Sequence, residues 1–158
     1  MIDTAPAPLD LTGGILHIAA QAQHELAIFS SALEPRRYGT VGLHDLLRSL
    51  ALGHARNRVR ILVRDPQRVL ADGAHRLVEL ARLIPSRVSI RAATAPADNL
   101  REEWVLADRA AFLLRPDAGD EAAVHRPDDP GRTVELLSRF NSYWAHGALS
   151  REFSALRL

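Results

Sequence analysis

Lysine and cysteine are both absent from this sequence, so that all 20 basic residues are arginine. Without a lysine amine, a Walker phosphate-binding loop, a Schiff-base enzyme and a lysine general base are excluded. Without a thiol, disulfides, thiolate metal sites and cysteine nucleophiles are excluded as well. Abundant arginine and alanine are also typical of biased codon usage, and the exclusions hold under that interpretation too.

Long apolar runs are missing, and none approaches the length of a membrane span. The start, MIDTAPAPLD, lacks the positive charge and the apolar run of a signal peptide, so we predict a cytoplasmic protein. A net charge of +1 gives no overall attraction to nucleic acid or membrane. Length and a 47% apolar composition predict a flexible leader over residues 1–10 and one domain over residues 11–158.

The hydrophobic pattern predicts alternating strands and helices. Core strands are predicted at 25–31, 58–65 and 86–92, a hairpin at 104–107 and 110–114 with its turn at Asp108 and Arg109, and a short strand at 122–125. Helices are predicted at 11–23, 43–56, 66–83 and 130–146, and the last two begin with an aspartate followed by proline. In the C-terminal tail, Phe153, Leu156 and Leu158 are predicted to dock on the domain.

This order of elements predicts a three-layer α/β/α sandwich with a mixed parallel and antiparallel sheet. Because crossover connections are right-handed, helices 43–56 and 66–83 should share one face of the sheet. We expect helices 11–23 and 130–146 to cover the other face.

The hairpin REEWVLADRAAFLLR begins at Arg101, and together with the segments FSSALEP, VRILVRDP and AHRLVELARLIPS it resembles one repeat of the phospholipase D-like superfamily. The resemblance covers roughly residues 25–144, and extends to small bacterial domains of unassigned function. The family motif is histidine, any residue, lysine, four residues and aspartate. Here Arg101 stands at the histidine position, Glu103 at the lysine position, and Asp108 keeps the aspartate.

In active members the resemblance implies two paired repeats, whose two histidines act as nucleophile and proton donor while the lysines hold the phosphate. Arg101 has no free lone pair near neutral pH, and Glu103 would place negative charge against a phosphate. We therefore expect a catalytically inactive phospholipase D-like domain that binds an anionic ligand or a protein partner, and the same resemblance implies a homodimer.

The candidate binding residues lie mostly where the strands end, because ligands of open α/β sheets bind beyond the carboxyl ends of the parallel strands. Ordinary structural roles stay open: a surface pair of Arg101 and Glu103 with each other or with neighbouring residues, a helix cap for Asp65 and a turn for Asp108. The arginines at 58, 60 and 64 indicate either an anion-binding face or edge-strand residues. The candidate ligand-binding residues are Ser30, Ser31, Asp65, His75, Arg91, Arg101, Glu103 and Asp108.

Two other functions remain open. A diverged phosphodiesterase or nuclease would recruit a histidine from outside the motif, such as His75 or His125, and would bring its ring to Arg101 or Arg91. A nucleic-acid-binding module would need a continuous arginine face with exposed aromatic rings, and is less favoured. The seven histidines show no metal-ligand spacing, so we predict neither a metal nor a cofactor.

Overall fold

A computed structural model describes residues 10–71 and 73–154 of the chain. The predicted leader, apart from Asp10, lies outside the described residues, as do Leu156 and Leu158 of the predicted tail. Phe153 is described, and its ring is buried as predicted.

The described residues form a mixed α/β domain with one sheet, which confirms the predicted fold class. The strands are β1 (Glu25–Ser30), β2 (Arg58–Val63), β3 (Val88–Ala92), β4 (Glu103–Ala107), β5 (Ala111–Arg115), β6 (Val124–Arg126) and β7 (Ala148–Leu149). The helices are α1 (Leu11–Gln21), α2 (Pro35–Tyr38), α3 (Val41–Gly53), α4 (Pro66–Ala71), α5 (Arg76–Leu83), α6 (Pro130–Ala145) and α7 (Arg151–Ser154). No helix in this part of the chain is long and apolar enough to cross a bilayer.

The sheet has the strand order β6-β5-β4-β1-β2-β3-β7. Strands β1, β2 and β3 are parallel, while β4, β5 and β6 extend the β1 edge as antiparallel strands. As a result β1, β2 and β5 have their carboxyl ends along the same edge of the sheet, which runs across the strands, and β4 begins along that edge. The short β7, which the sequence pattern does not predict, pairs antiparallel with β3.

One face of the sheet packs against α1, α3 and α5, whose apolar residues form one core with the strands. The prediction that α3 and α5 share a face is confirmed, but the placement of α1 on the opposite face is wrong. Val105 and Leu113 of the β4–β5 hairpin point to this side, beyond the reach of α3 and α5. Ile15 and Ile18 of α1 bury them, which gives the first helix its position.

The other face packs against α6 through an aromatic and apolar cluster. Five arginine–aromatic contacts lie at this face, made by Arg60 and Arg91 on strands, Arg64 after the end of β2 and Arg139 on α6. The guanidinium carbons of Arg60 and Arg91 lie 5.8 and 4.4 Å from the centre of the Trp144 ring. The other contacts are Arg60 with Phe140, Arg64 with Phe29, and Arg139 with Trp104.

The predicted helix over residues 66–83 is two helices, α4 and α5. Gly73 between them has φ +84°, a conformation that ends a right-handed helix and that glycine adopts without strain. Asp65 caps α4, because its carboxylate accepts a hydrogen bond from the Arg68 amide at 3.1 Å. His75, predicted near the middle of one long helix, is instead the N-cap of α5.

Candidate anion-binding site

Five arginines line a cavity of about 490 Å³ at the edge where β1, β2 and β5 end. They come from separate elements: α2, the end of β2, α4, the residues before β4, and the end of β5. Two glutamates, Glu34 and Glu121, share the lining. Guanidinium groups that converge from several elements are suited to oxyanions, which accept two parallel hydrogen bonds from each. The five arginines are Arg36, Arg64, Arg68, Arg101 and Arg115.

Glu103 lies fully buried beneath this cavity and accepts hydrogen bonds from three elements. The Ser30 hydroxyl donates to its carboxylate at 2.6 Å, and the Ser31 amide donates at 2.9 Å. The Tyr38 hydroxyl lies 3.4 Å from the second carboxylate oxygen. Burial, followed by the nearby negative charge of Glu103, raises the pKa of Tyr38 well above its usual value. Tyr38 therefore remains a neutral donor.

Arg115 neutralises Glu103 from the opposite strand of the hairpin. Its Nη1 donates to Glu103 at 2.8 Å and to Glu34 at 2.7 Å, and its Nε donates to the carbonyl of Asp120. Because its guanidinium binds both carboxylates, Arg115 connects Glu103 below the cavity floor with Glu34 in the cavity lining. This arginine is therefore mainly structural, although it lines the cavity.

Arg64 and Arg68 supply positive charge that no carboxylate in the described residues neutralises through an ion pair. Arg64 stacks 4.9 Å from the centre of the Phe29 ring and donates to the carbonyl of Glu102. Burial lowers its pKa, and a guanidinium nevertheless keeps its charge in proteins. Arg68 is exposed, and its guanidinium makes no hydrogen bond or ion pair with another residue in the described part of the chain.

Arg101 lies exposed at the rim and forms a forked ion pair with Asp117. Its Nε and Nη2 donate to the two carboxylate oxygens at 2.9 and 3.0 Å. The Gly119 amide donates to the same carboxylate at 2.8 Å. The Arg101 hydrogen bonds, followed by the Gly119 amide, lower the pKa of Asp117 to about 2. The alternative of a surface pair with a neighbour fits Arg101, which pairs with Asp117. It does not fit Glu103, which is buried with Arg115.

The structure places Ser30, Ser31, Arg101 and Glu103 at this cavity. The sequence analysis predicts this location, at the carboxyl ends of the parallel strands. Ser31 and Arg101 line it, while Ser30 and Glu103 lie below its floor. Asp65 is adjacent, since its amide donates to the Ser31 carbonyl at 2.8 Å. Its carboxylate is occupied as the cap of α4.

Asp108 lies at the opposite edge of the sheet, so it does not contribute to the cavity. It occupies the β4–β5 turn with φ +53°. Its carboxylate accepts hydrogen bonds from the amides of Gln23, His24 and Glu25, at 2.9 to 3.0 Å. The aspartate of the motif position therefore holds the start of β1 against the hairpin.

Arg91 lies on the α6 face, away from the cavity lining. Its Nη1 donates to the Trp144 carbonyl at 2.8 Å, and its guanidinium stacks on the Trp144 ring. The prediction that it belongs with Arg101 is not supported by this location.

His75 lies behind the cavity, in a separate space of about 80 Å³ that it shares with Arg68 and Glu34. Its Nδ1 accepts from the Leu77 amide at 3.1 Å, so its Nε2 carries the proton and donates to the Leu33 carbonyl at 2.9 Å. Both ring nitrogens therefore form hydrogen bonds with the backbone. No histidine lines the arginine cavity among the described residues.

The other histidine that the sequence offers for catalysis, His125, lies on β6 and pairs with His17 of α1. The His17 Nδ1 and the His125 Nε2 lie 2.8 Å apart. The described residues contain no group of three or more histidine, aspartate or glutamate side chains that could hold a metal ion.

The sequence-based candidates do not include Glu34, Arg36, Arg68, Arg115, Asp117 and Glu121. Arg115 could have been found from the hairpin register: Ala107 pairs with Ala111 across a turn of three residues, which places Glu103 opposite Arg115. A turn of two residues, as predicted, places Glu103 opposite Leu114 and hides the ion pair. Asp117 and Glu121 lie in an irregular segment, where no periodic pattern marks a role.

The comparisons with known proteins bear on the family and leave its biochemical role open. No curated protein matches the chain. One family model matches residues 9–156, nearly the whole sequence, and its description is a domain of unknown function, DUF7931. The chain therefore belongs to the DUF7931 family.

Proposed function

We propose that this domain is a catalytically inactive, phospholipase D-like anion-binding module, and that its arginine-lined cavity holds a phosphate-bearing ligand. The observation that carries the proposal is the convergence of five arginines on one cavity at the edge where β1 and β2 end. Arg68 has a free guanidinium there within the described residues, and Arg64 has no carboxylate partner.

The phospholipase D-like assignment rests on the motif positions and on where they lie. Arg101 and Glu103, at the histidine and lysine positions of the motif, lie at the ligand-binding edge of the sheet. Asp108 holds the β4–β5 hairpin to β1. Pairing of two such domains into a homodimer is part of the same proposal, and sedimentation velocity tests it.

The proposed absence of catalysis is supported by the groups that the cavity offers. The Arg101 guanidinium has no lone pair for attack on phosphorus. Ser30 is fully buried with its hydroxyl bound to Glu103, so it cannot reach a ligand. His75 uses both ring nitrogens in hydrogen bonds to the backbone. These contacts leave little support for the alternative of a diverged phosphodiesterase.

Titration of inorganic phosphate, followed by amide chemical shifts and by calorimetry, tests the binding. Arg68→Gln and Arg64→Gln should each weaken binding about tenfold or more, since a hydrogen bond to a charged group contributes about 1.5–3 kcal/mol. Arg48→Gln is the matched control: it removes the same charge from an exposed position on α3, outside the cavity. Equal effects of Arg48→Gln and Arg68→Gln would mean nonspecific charge attraction and would refute the site.

An activity assay tests the second half of the proposal. We expect no hydrolysis of bis(p-nitrophenyl) phosphate above the buffer rate. Hydrolysis by the wild-type domain that Arg68→Gln abolishes and Arg48→Gln leaves unchanged would show that the domain is an enzyme.

A further inference from the structure

The segment 116–123, which joins β5 to β6, brings two carboxylates to the arginines around the cavity. Asp117 binds Arg101, and Glu121 contacts Arg37 and Arg36 of α2. The Glu121 carboxylate lies 3.7 Å from Arg36, and forms a short hydrogen bond with the buried Arg37. The segment therefore neutralises cations that an anionic ligand would otherwise meet.

Asp117 is held in the way that a bound oxyanion is held. Two parallel N–H groups of Arg101 and the amide of Gly119 donate to one carboxylate. A forked guanidinium together with a backbone N–H is a common arrangement for carboxylate and phosphate groups. A Cβ at Gly119 would lie 3.3 Å from the Asp117 carboxylate and 3.7 Å from the Arg101 guanidinium, so the backbone approaches both groups closely.

The Asp117 end of the segment is held by an exposed ion pair. The Arg101 and Asp117 side chains are 73% and 43% exposed, whereas Glu121, itself 70% exposed, also binds Arg37, whose side chain is only 9% exposed. Exposed ion pairs contribute little to stability, because water solvates both partners well when they separate. Few hydrogen bonds hold the backbone of the segment. They include one from the Ala118 amide to the Arg101 carbonyl and one from the Arg115 guanidinium to the Asp120 carbonyl.

We infer that Asp117 and Glu121 are internal competitors of the ligand, so that an anion enters the arginine cavity by displacing segment 116–123. The inference rests on the proposed function and concerns how that same site is regulated. A phosphate group would take over the Arg101 fork from Asp117, and its further oxygens would reach Arg68 and Arg64. Arg36, which lines the cavity, becomes available when Glu121 leaves.

Phosphate affinity of carboxylate variants tests the competition. Asp117→Asn keeps the size of the side chain and removes its charge, and should tighten inorganic phosphate binding at least threefold. Glu121→Gln should act in the same direction. Asp128→Asn is the matched control, because it removes one exposed negative charge outside the cavity lining and should change the affinity less than twofold.

Hydrogen exchange of the wild-type domain gives a second measurement that does not depend on a variant. Saturating phosphate should speed exchange of the amides in segment 116–123, the Gly119 amide included. Slower exchange there, or an Asp117→Asn affinity no tighter than that of Asp128→Asn, overturns the inference.

These outcomes separate the inference from the proposed function. Binding that depends on Arg68 but is unaffected by Asp117→Asn leaves the function intact and refutes the competition. Absence of phosphate binding by the wild type and by Asp117→Asn refutes both. Binding by Asp117→Asn alone supports both, since it shows a site that the carboxylate occupies.

Discussion

The Arg115 guanidinium donates to the Glu103 carboxylate at 2.8 Å across the β4–β5 hairpin, with both side chains almost fully buried. Breaking such a pair from one side leaves a charge in a medium that solvates it poorly. The Glu103 carboxylate therefore binds the protein itself.

Arg115→Gln should lower the free energy of unfolding by about 3–5 kcal/mol, because Glu103 would remain buried without its countercharge. Denaturant unfolding at neutral pH measures the loss. Arg132→Gln is the control, since it removes one partner of the exposed Arg132–Glu135 pair and should cost about 0–1 kcal/mol. Similar losses for the two variants would contradict the structural role of Arg115.

Asp108→Ala should cost about 2–3 kcal/mol, because three amides at the start of β1 lose their acceptor and alanine disfavours the positive φ. Asp108→Asn should cost clearly less, since asparagine keeps an acceptor oxygen and tolerates this conformation. Thermal unfolding compares the two. An Asn variant as unstable as the Ala variant would show that the charge, and not the acceptor geometry, holds this turn.

The carboxyl of Asp117 should titrate at about 2, compared with 3.8 for an unperturbed aspartate. Because the pKa is lowered in the folded protein, the Arg101 contact is fully present above pH 3.8 and is lost as pH falls through about 2. Carboxyl carbon shifts in an NMR titration measure the pKa directly. Arg101→Gln should return it toward 3.8, and an unchanged value would contradict the forked pair.

The domain should lose stability as pH falls below 6.5, because burial, then His17, then Arg126 lower the pKa of His125. The folded protein thus binds this proton less readily than the unfolded chain, and stability is greatest above 6.5. Unfolding at pH 7.5 and 5.5 measures the difference. His125→Gln should reduce this pH dependence, whereas His24→Gln, an exposed ring, should leave it unchanged.

Gly73→Ala should cost about 1–2 kcal/mol, since φ +84° is unfavourable for any residue with a Cβ although no atom lies in its way. Gly42→Ala in α3 has ordinary contacts with Leu16 and should instead stabilise the domain by up to about 1 kcal/mol. Thermal unfolding of both variants measures these opposite shifts. A neutral Gly73→Ala would show that the α4–α5 break does not depend on glycine.

The sequence predicts most elements because their burial follows a simple pattern. Val59, Ile61 and Val63 alternate with Arg58, Arg60, Leu62 and Arg64, and pack as one core face, as predicted. The position of α1 was predicted wrongly, because a helix that precedes the first strand is not constrained by a crossover rule. What decides its face is the apolar surface that the β4–β5 hairpin exposes, which depends on tertiary structure.

The candidate site was predictable in place but only partly in composition. Strand ends locate the edge that carries Ser31 and Arg101, and Asp65 caps its helix as expected. The ion pair of Glu103 depends on a turn of three residues instead of two, a difference that moves every pair of the hairpin by one position. Asp117 and Glu121 acquire their partners through an irregular segment, which sequence periodicity does not describe.

The stacking of arginines on aromatic rings at the α6 face gives the absence of lysine a structural meaning. A guanidinium is flat and weakly hydrated, so Arg60 and Arg91 can lie against Trp144, and Arg91 still donates to the Trp144 carbonyl. An ammonium in the same place would keep its water and leave the ring uncovered. Some of the arginine side chains thus pack between the sheet and α6, and conservative lysine substitutions there would create packing defects.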